Sequence, residues 1–267
     1  MAALLVACSG EPIGGSTVAE AAPVTEPEQR AVTTAGRPLE LRARVVNSHP
    51  HDRGAYTQGL LWDGEALLES VGRYGESNLR RWAPGERRPS LERELEGHLF
   101  GEGLARVGDR LIQLTWKEEL ALIWDRETLR PLQRISYRGE GWGLCHDGRR
   151  LFMSDGSHTL TLRDPATFAT TGELRVTTPR GQALGALNEL ECAEGWVFAN
   201  ILGSERIARI DPQTGIVTAW IDASGLLSRL ERLRGAEVLN GIAYRPDRET
   251  FYLTGKYWPK VFEVVFE

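Results

Sequence analysis

The chain has 267 residues, enough for one large all-β domain or two modest ones. Its 32 Lys and Arg against 37 Asp and Glu leave a formal charge of -5 with no basic stripe, which removes support for nucleic-acid binding. No stretch reaches the ~18 apolar residues a membrane span needs.

Residues 1–8 are apolar and end in Leu5-Val6-Ala7-Cys8, the pattern of a bacterial lipobox, without the charged segment that opens an export signal. Residues 9–37 are rich in Ala, Pro, Thr, Gly and Glu, have no hydrophobic period, and read as a flexible tether. A tether directly after a lipobox cysteine predicts an exported protein of the periplasm or cell envelope, anchored by lipid at Cys8. The competing reading is a disordered cytosolic tail with a chance cysteine.

From residue 38 to 267 the chain reads as short alternating or apolar runs between turn residues such as Trp62-Asp63-Gly64, His146-Asp147-Gly148 and Asp211-Pro212-Gln213-Thr214-Gly215. Five segments align: Gln58-Gly59-Leu60, Glu102-Gly103-Leu104, Trp142-Gly143-Leu144, Asn188-Glu189-Leu190 and Asn240-Gly241-Ile242. Each is followed by a tight turn, a second strand and a third, and four units continue into an outer strand. Starts separated by 44, 40, 46 and 52 residues fit one four-stranded blade per unit. The expectation is an all-β, five-bladed β-propeller. The fifth unit lacks an outer strand, and Leu39–Val46 is the predicted donor that closes the ring. Leu226, Leu227, Leu230 and Leu233 recur at helical spacing, predicting one helix over Ser224–Arg234. Cys145 and Cys192 fall at strand positions outside any metal-binding spacing; buried free thiols are expected, with a disulfide left open.

Innermost strands line a propeller's channel, so the first residues of the five units should converge: Gln58, Glu102, Trp142, Asn188 and Asn240. The ends of the second strands add Glu69, Trp116, Asp155, Asn200 and Lys256. A carboxylate partly desolvated beside indole rings suits a general acid or base, because burial raises its proton affinity. Glu69 is expected to pair with Arg73 or Arg80 on the rim, Asp155 to serve a turn, and none of the five histidines to take part.

Taken together, Tyr56-Thr57-Gln58-Gly59-Leu60, Gly101-Glu102-Gly103-Leu104, Leu114-Thr115-Trp116-Lys117, Gly141-Trp142-Gly143-Leu144, Leu187-Asn188-Glu189-Leu190-Glu191 and Thr254-Gly255-Lys256-Tyr257-Trp258-Pro259-Lys260 resemble the plant-type glutaminyl-peptide cyclotransferases. The resemblance spans nearly all of residues 40–267, in order. It implies an enzyme that converts the N-terminal glutamine of peptides or proteins to pyroglutamate with release of ammonia, without metal or other cofactor, as a monomer. It also implies Glu102 as the catalytic carboxylate with Asn188 and Lys256 beside it. Tyr56, Gln58, Trp116 and Trp142 would line the substrate pocket, the two tryptophans offering indole N–H donors. Leu202 stands where the family has an aromatic wall residue. Two readings compete: a metal-dependent propeller hydrolase or lactonase, and a non-enzymatic binding scaffold.

Overall fold

The computed structural model describes residues 1–2, 36–86 and 88–267. The cysteine at position 8 and nearly all of the tether fall outside these residues. The first strand, β1 (Leu39–Pro50), is followed by five units. The first comprises β2 (Thr57–Asp63), β3 (Ala66–Val71), β4 (Asn78–Trp82) and β5 (Leu91–Glu94), and the second β6 (Gly101–Val107), β7 (Arg110–Thr115), β8 (Leu120–Asp125) and β9 (Pro131–Ser136). The third comprises β10 (Leu144–His146), β11 (Leu151–Met153), β12 (Thr159–Arg163) and β13 (Thr170–Arg175). The fourth comprises β14 (Leu187–Ala193), β15 (Trp196–Ile201), β16 (Arg206–Ile210) and β17 (Val217–Asp222). The fifth has only β18 (Leu239–Arg245), β19 (Thr250–Gly255) and β20 (Lys260–Phe266) of its own. Within each unit consecutive strands pair antiparallel, because tight turns such as Asp63-Gly64 leave no room for a crossover. The result is a five-bladed β-propeller.

Blades pack through apolar faces of the strands. Between the first and second blades, Leu61, Leu68 and Leu79 meet Leu104, Leu111 and Leu122. Each buried leucine contributes roughly 1.5–3 kcal/mol.

Ring closure is broader than predicted. The strand β1 runs to Pro50, and its ends serve two blades: Leu39–Arg42 pair in parallel with β17, and Ala43–Pro50 pair antiparallel with β20. One strand thus supplies the missing outer strand of the last blade and covers the edge of the fourth.

Two further expectations are corrected. The helix is one short turn, α1 (Arg229–Leu233), capped by Ser228 and Glu231 in a reciprocal capping box. Gly225 at φ +89° turns the chain before it, so Leu226 and Leu227 enter the core from a turn while Leu230 and Leu233 stay exposed. Cys145 and Cys192 are not free thiols but form a disulfide, Cα–Cα 5.4 Å, between β10 and β14. Forty-seven residues separate them, a loop whose closure stabilises by about 4 kcal/mol in the chain-entropy account.

Glu69 is fully buried at the seam between the last and first blades, not on the rim. Its carboxylate accepts from Thr57 Oγ1 (2.7 Å), Arg80 Nε (2.9 Å) and Trp82 Nε1 (3.0 Å), and lies 3.1 Å from His51 Nε2. His51 Nδ1 meets the Trp258 carbonyl at 2.9 Å, and Arg80 also holds Asp52 at 2.8 Å. Although burial opposes the charge, Arg80 and His51 hold the Glu69 carboxyl well below its usual value of 4.5. Its stabilisation is therefore complete above about pH 4.5 and is lost as pH falls toward that depressed value. Arg80→Ala should cost roughly 3–5 kcal/mol at pH 7, because it strands a buried carboxylate. Urea unfolding measures this, and the gap from wild type should narrow as pH drops below about 4.5.

Candidate active site

Innermost strands crowd the axis where side chains are smallest. A Cβ on Gly143 would lie 2.0 Å from the Asn188 carbonyl oxygen, so only glycine admits β14 this close. Ser154 ties the same junction, donating its hydroxyl to that oxygen at 2.6 Å and accepting from Gly143 N at 2.7 Å. This packing carries the first residues of neighbouring blades to one mouth of the channel.

A cavity of about 440 Å³ opens there, lined by Tyr56, Gln58, Glu102, Trp116, Trp142, Asn188, Leu202 and Lys256, so all eight predicted site residues meet. Arg73, Tyr74, Glu76 and Phe100 complete the lining. Tyr74, Glu76 and Phe100 carried no assignment, and Arg73, a candidate partner of Glu69, instead lies 3.9 Å from Glu76. A larger groove of about 700 Å³ lies beside His51 and Arg80, but those buried groups are committed to Glu69 and Asp52. The smaller cavity is therefore the candidate site.

Glu102 forms its floor, 4% exposed. Gln58 Nε2 donates to its Oε1 at 2.7 Å, and Asn240 Nδ2 donates to Gln58 Oε1 at 3.1 Å and to the Thr57 carbonyl at 2.9 Å. Asn240 thus fixes which end of the Gln58 amide faces the carboxylate, from outside the cavity lining. Burial pushes the Glu102 carboxyl well above its ordinary range; Lys256 opposes this, while Glu118 and Glu140 add to it. Burial likewise pulls the Lys256 ammonium down, against the attraction of Glu102. The two make no direct ion pair, and Lys256 Nζ sits 4.4 Å from the centroid of the Tyr56 ring. Asn188 is buried, and its side-chain amide lines the cavity without a hydrogen-bond partner among the described residues.

Aromatic side chains shape the walls. Phe100 stands edge-on to Trp116 at 5.4 Å and to Tyr74 at 5.3 Å. Trp142 lies over Gly156, whose Cβ would come 2.7 Å from the indole. One expectation fails here: the indole N–H groups do not point to a substrate. Both are taken by Glu140 Oε2, at 2.8 Å from Trp116 and 3.0 Å from Trp142. Leu202 is 41% exposed and forms a low apolar rim.

The remaining second-strand residues stay outside. Asp155 accepts from Ser157 N at 2.9 Å in an exposed turn, as expected, and Asn200 accepts from Gly241 N at 2.9 Å. Glu189, unassigned by the sequence, fills the position that is glycine in the other four blades. Its carboxylate reaches across the channel to accept from Ile242 N at 2.9 Å and Leu60 N at 3.3 Å. Among the described residues no three His, Cys, Asp or Glu side chains gather as a metal site.

A family model described as glutamine cyclotransferase matches residues 17–266. The chain belongs to that family. A glutaminyl-peptide cyclotransferase of Arabidopsis thaliana is 37% identical over 244 residues, covering 86% of this chain and 75% of that protein. The crystal structure of the Myxococcus xanthus glutaminyl cyclase matches with a TM-score of 0.79 at 39% identity, covering 86% of this chain and 99% of that one.

Gly143→Ala tests the axial packing. The methyl would displace β14 and Asn188 with it, so catalytic turnover should fall by at least about tenfold with the fold retained, as read by circular dichroism and steady-state kinetics.

Proposed function

We propose that this enzyme is a glutaminyl-peptide cyclotransferase that cyclises the N-terminal glutamine of peptides or proteins to pyroglutamate. The observation that carries the reading is a buried carboxylate of raised proton affinity on the floor of a pocket that also presents Lys256 and a free Asn188 amide, in a member of this family.

The α-amine of the substrate attacks the side-chain amide carbon. A C–N bond forms, the amide C–N bond breaks, and ammonia leaves. The nucleophile must first lose a proton and the leaving nitrogen must gain one. Glu102 performs both transfers: its carboxylate takes the proton from the attacking amine and delivers it to the departing nitrogen. Gln58 steadies the carboxylate through its 2.7 Å hydrogen bond. Asn188 donates to the amide oxygen as negative charge develops there, and Lys256 supplies positive charge to the same region. Trp116, Trp142 and Phe100 exclude water, while Tyr56 and Leu202 form the rim.

Such a sequence routes no step through a metal or other cofactor. A metal-dependent hydrolase would need more ligands than this pocket presents, with Lys256 placed against a cation. A binding scaffold would have no use for a carboxylate of raised proton affinity, and its channel residues would be replaceable. The same reading places the enzyme outside the cytoplasm as a lipid-anchored protein, supported by the lipobox at Cys8 and by the disulfide. Mass spectrometry of the protein from its native host should find Cys8 acylated, and an unmodified Cys8 removes the anchor.

Glu102→Gln should lower kcat/KM for Gln-peptides by roughly 10²–10⁴-fold, and wild-type activity should survive EDTA. As Glu102 works as a carboxylate of raised pKa, wild-type kcat/KM should rise with pH through an acid limb above the usual carboxylate range. Unchanged turnover in the Gln variant would falsify the assigned role.

A further inference from the structure

Two indole rings from different blades line one pocket, and both N–H groups end on one oxygen. Trp116 follows β7 and Trp142 precedes β10, yet each donates to Glu140 Oε2, at 2.8 and 3.0 Å. Glu140 is itself held in place. Gly139 N donates to Glu119 Oε1 at 2.7 Å on one side, and Gly141 N donates to the Trp116 carbonyl at 2.9 Å on the other. Lys117 completes the group, its Nζ 3.9 Å from the centroid of the Trp116 ring and 3.8 Å from Glu140 Oε1. Glu140 is absent from the cavity lining.

We propose that Glu140 is a positioning residue that locks both tryptophans through a shared acceptor and so sets the width of the glutamine pocket. A single acceptor couples the two rings: neither turns about its side-chain torsions without giving up its bond to the same oxygen. Losing the acceptor leaves two partly buried donors unpaired, and each ring is then free to seek water. The chemistry would survive this, but the substrate would meet a wider, wetter slot. The cost should therefore fall on KM more than on kcat.

The carboxylate has a second consequence. Glu102 is faced by Lys256 and Gln58, which favour its charged form, and by Glu118 and Glu140, which oppose it. Removing the Glu140 charge should ease ionisation of Glu102 and move the acid limb of kcat/KM to lower pH. A merely structural role would not move that limb.

The kinetic part rests on the cyclase reading, so the test has an independent arm. Indole ¹⁵N–¹H spectra of the full chain, with Trp116 and Trp142 assigned from W116F and W142F, report the two hydrogen bonds directly. In E140A both resonances should shift upfield, and KM for a Gln-peptide should rise about tenfold. In E140Q the amide oxygen can still accept, so KM should stay within about twofold of wild type while the acid limb moves to lower pH. Unmoved indole resonances in E140A, an unchanged KM there, or an E140Q as impaired as E140A would overturn the proposal. Failure of the wild type to cyclise Gln-peptides would refute the cyclase reading and leave the spectra to decide the lock.

Discussion

Everything about the pocket depends on how closely the innermost strands approach one another at the axis. Gly143 lies against the Asn188 carbonyl with no room for a methyl group, and Gly59 and Gly103 meet the backbone of the next blade in the same way. Such crowding carries Gln58, Glu102, Trp142 and Asn188, each the first residue of its unit, to the mouth. Polar groups placed there lose water, so each must find a partner. Asn240, Gln58 and Glu102 solve this as a directed chain of donors, and Glu189 solves it by reaching across the axis to backbone amides of the first and fifth blades. Asn240 Oδ1 and Asn200 Nδ2 stay buried without a partner among the described residues, whereas the Asn188 amide opens onto the cavity, where a substrate oxygen can meet it.

The seam of the ring lies next to the same pocket. Tyr257 N donates to the Ala55 carbonyl at 2.7 Å across the seam, so the residues next to Lys256 of the last blade and Tyr56 of the first are joined directly. Glu69, gathering donors from His51, Thr57, Arg80 and Trp82, holds that closure from beneath. The buried Glu69 charge thereby holds Thr57, next to Tyr56, and through His51 the Trp258 carbonyl, two residues beyond Lys256. Stability and chemistry share a boundary, although they use different carboxylates.

The propeller was legible because it repeats. Five copies of a short pattern at blade spacing survive in the sequence, and the first residue of each copy identifies the channel. The resemblance added roles to eight residues, four of them first residues of a copy, and the geometry gathers all eight in one cavity. What escaped lies in relations that no repeat encodes. The double pairing of β1 depends on the path of the strand between two sheet edges. The disulfide depends on two neighbouring innermost strands placing Cys145 and Cys192 side by side, which spacing in the chain does not show. Glu69 pairs with Arg80, one of its two expected partners, but buried at the seam beside His51 rather than on the rim. Indole direction is likewise a tertiary matter: Glu140 stands two residues before Trp142 but takes its second donor from another blade. One clue was present in the alignment. Glu189 breaks a column of glycines, and that break marks the residue that spans the channel.

Burial moves Glu102 and Lys256 in opposite directions, and both moves favour the neutral form. Glu102 is raised and Lys256 is lowered, with no direct ion pair to restore their charges. An empty pocket of this kind is poised to receive charge. The substrate brings it as an α-ammonium, whose proton leaves near pH 8 in unstrained peptides. Raising Glu102 toward that range brings the proton affinities of base and amine closer together, so the proton can move between them without a large penalty in either direction. An ordinary surface carboxylate would hold the ammonium as a salt bridge and leave the nucleophile protonated. The desolvation that makes Glu102 costly to bury is therefore what allows it first to accept the amine proton and then to release it to the departing nitrogen.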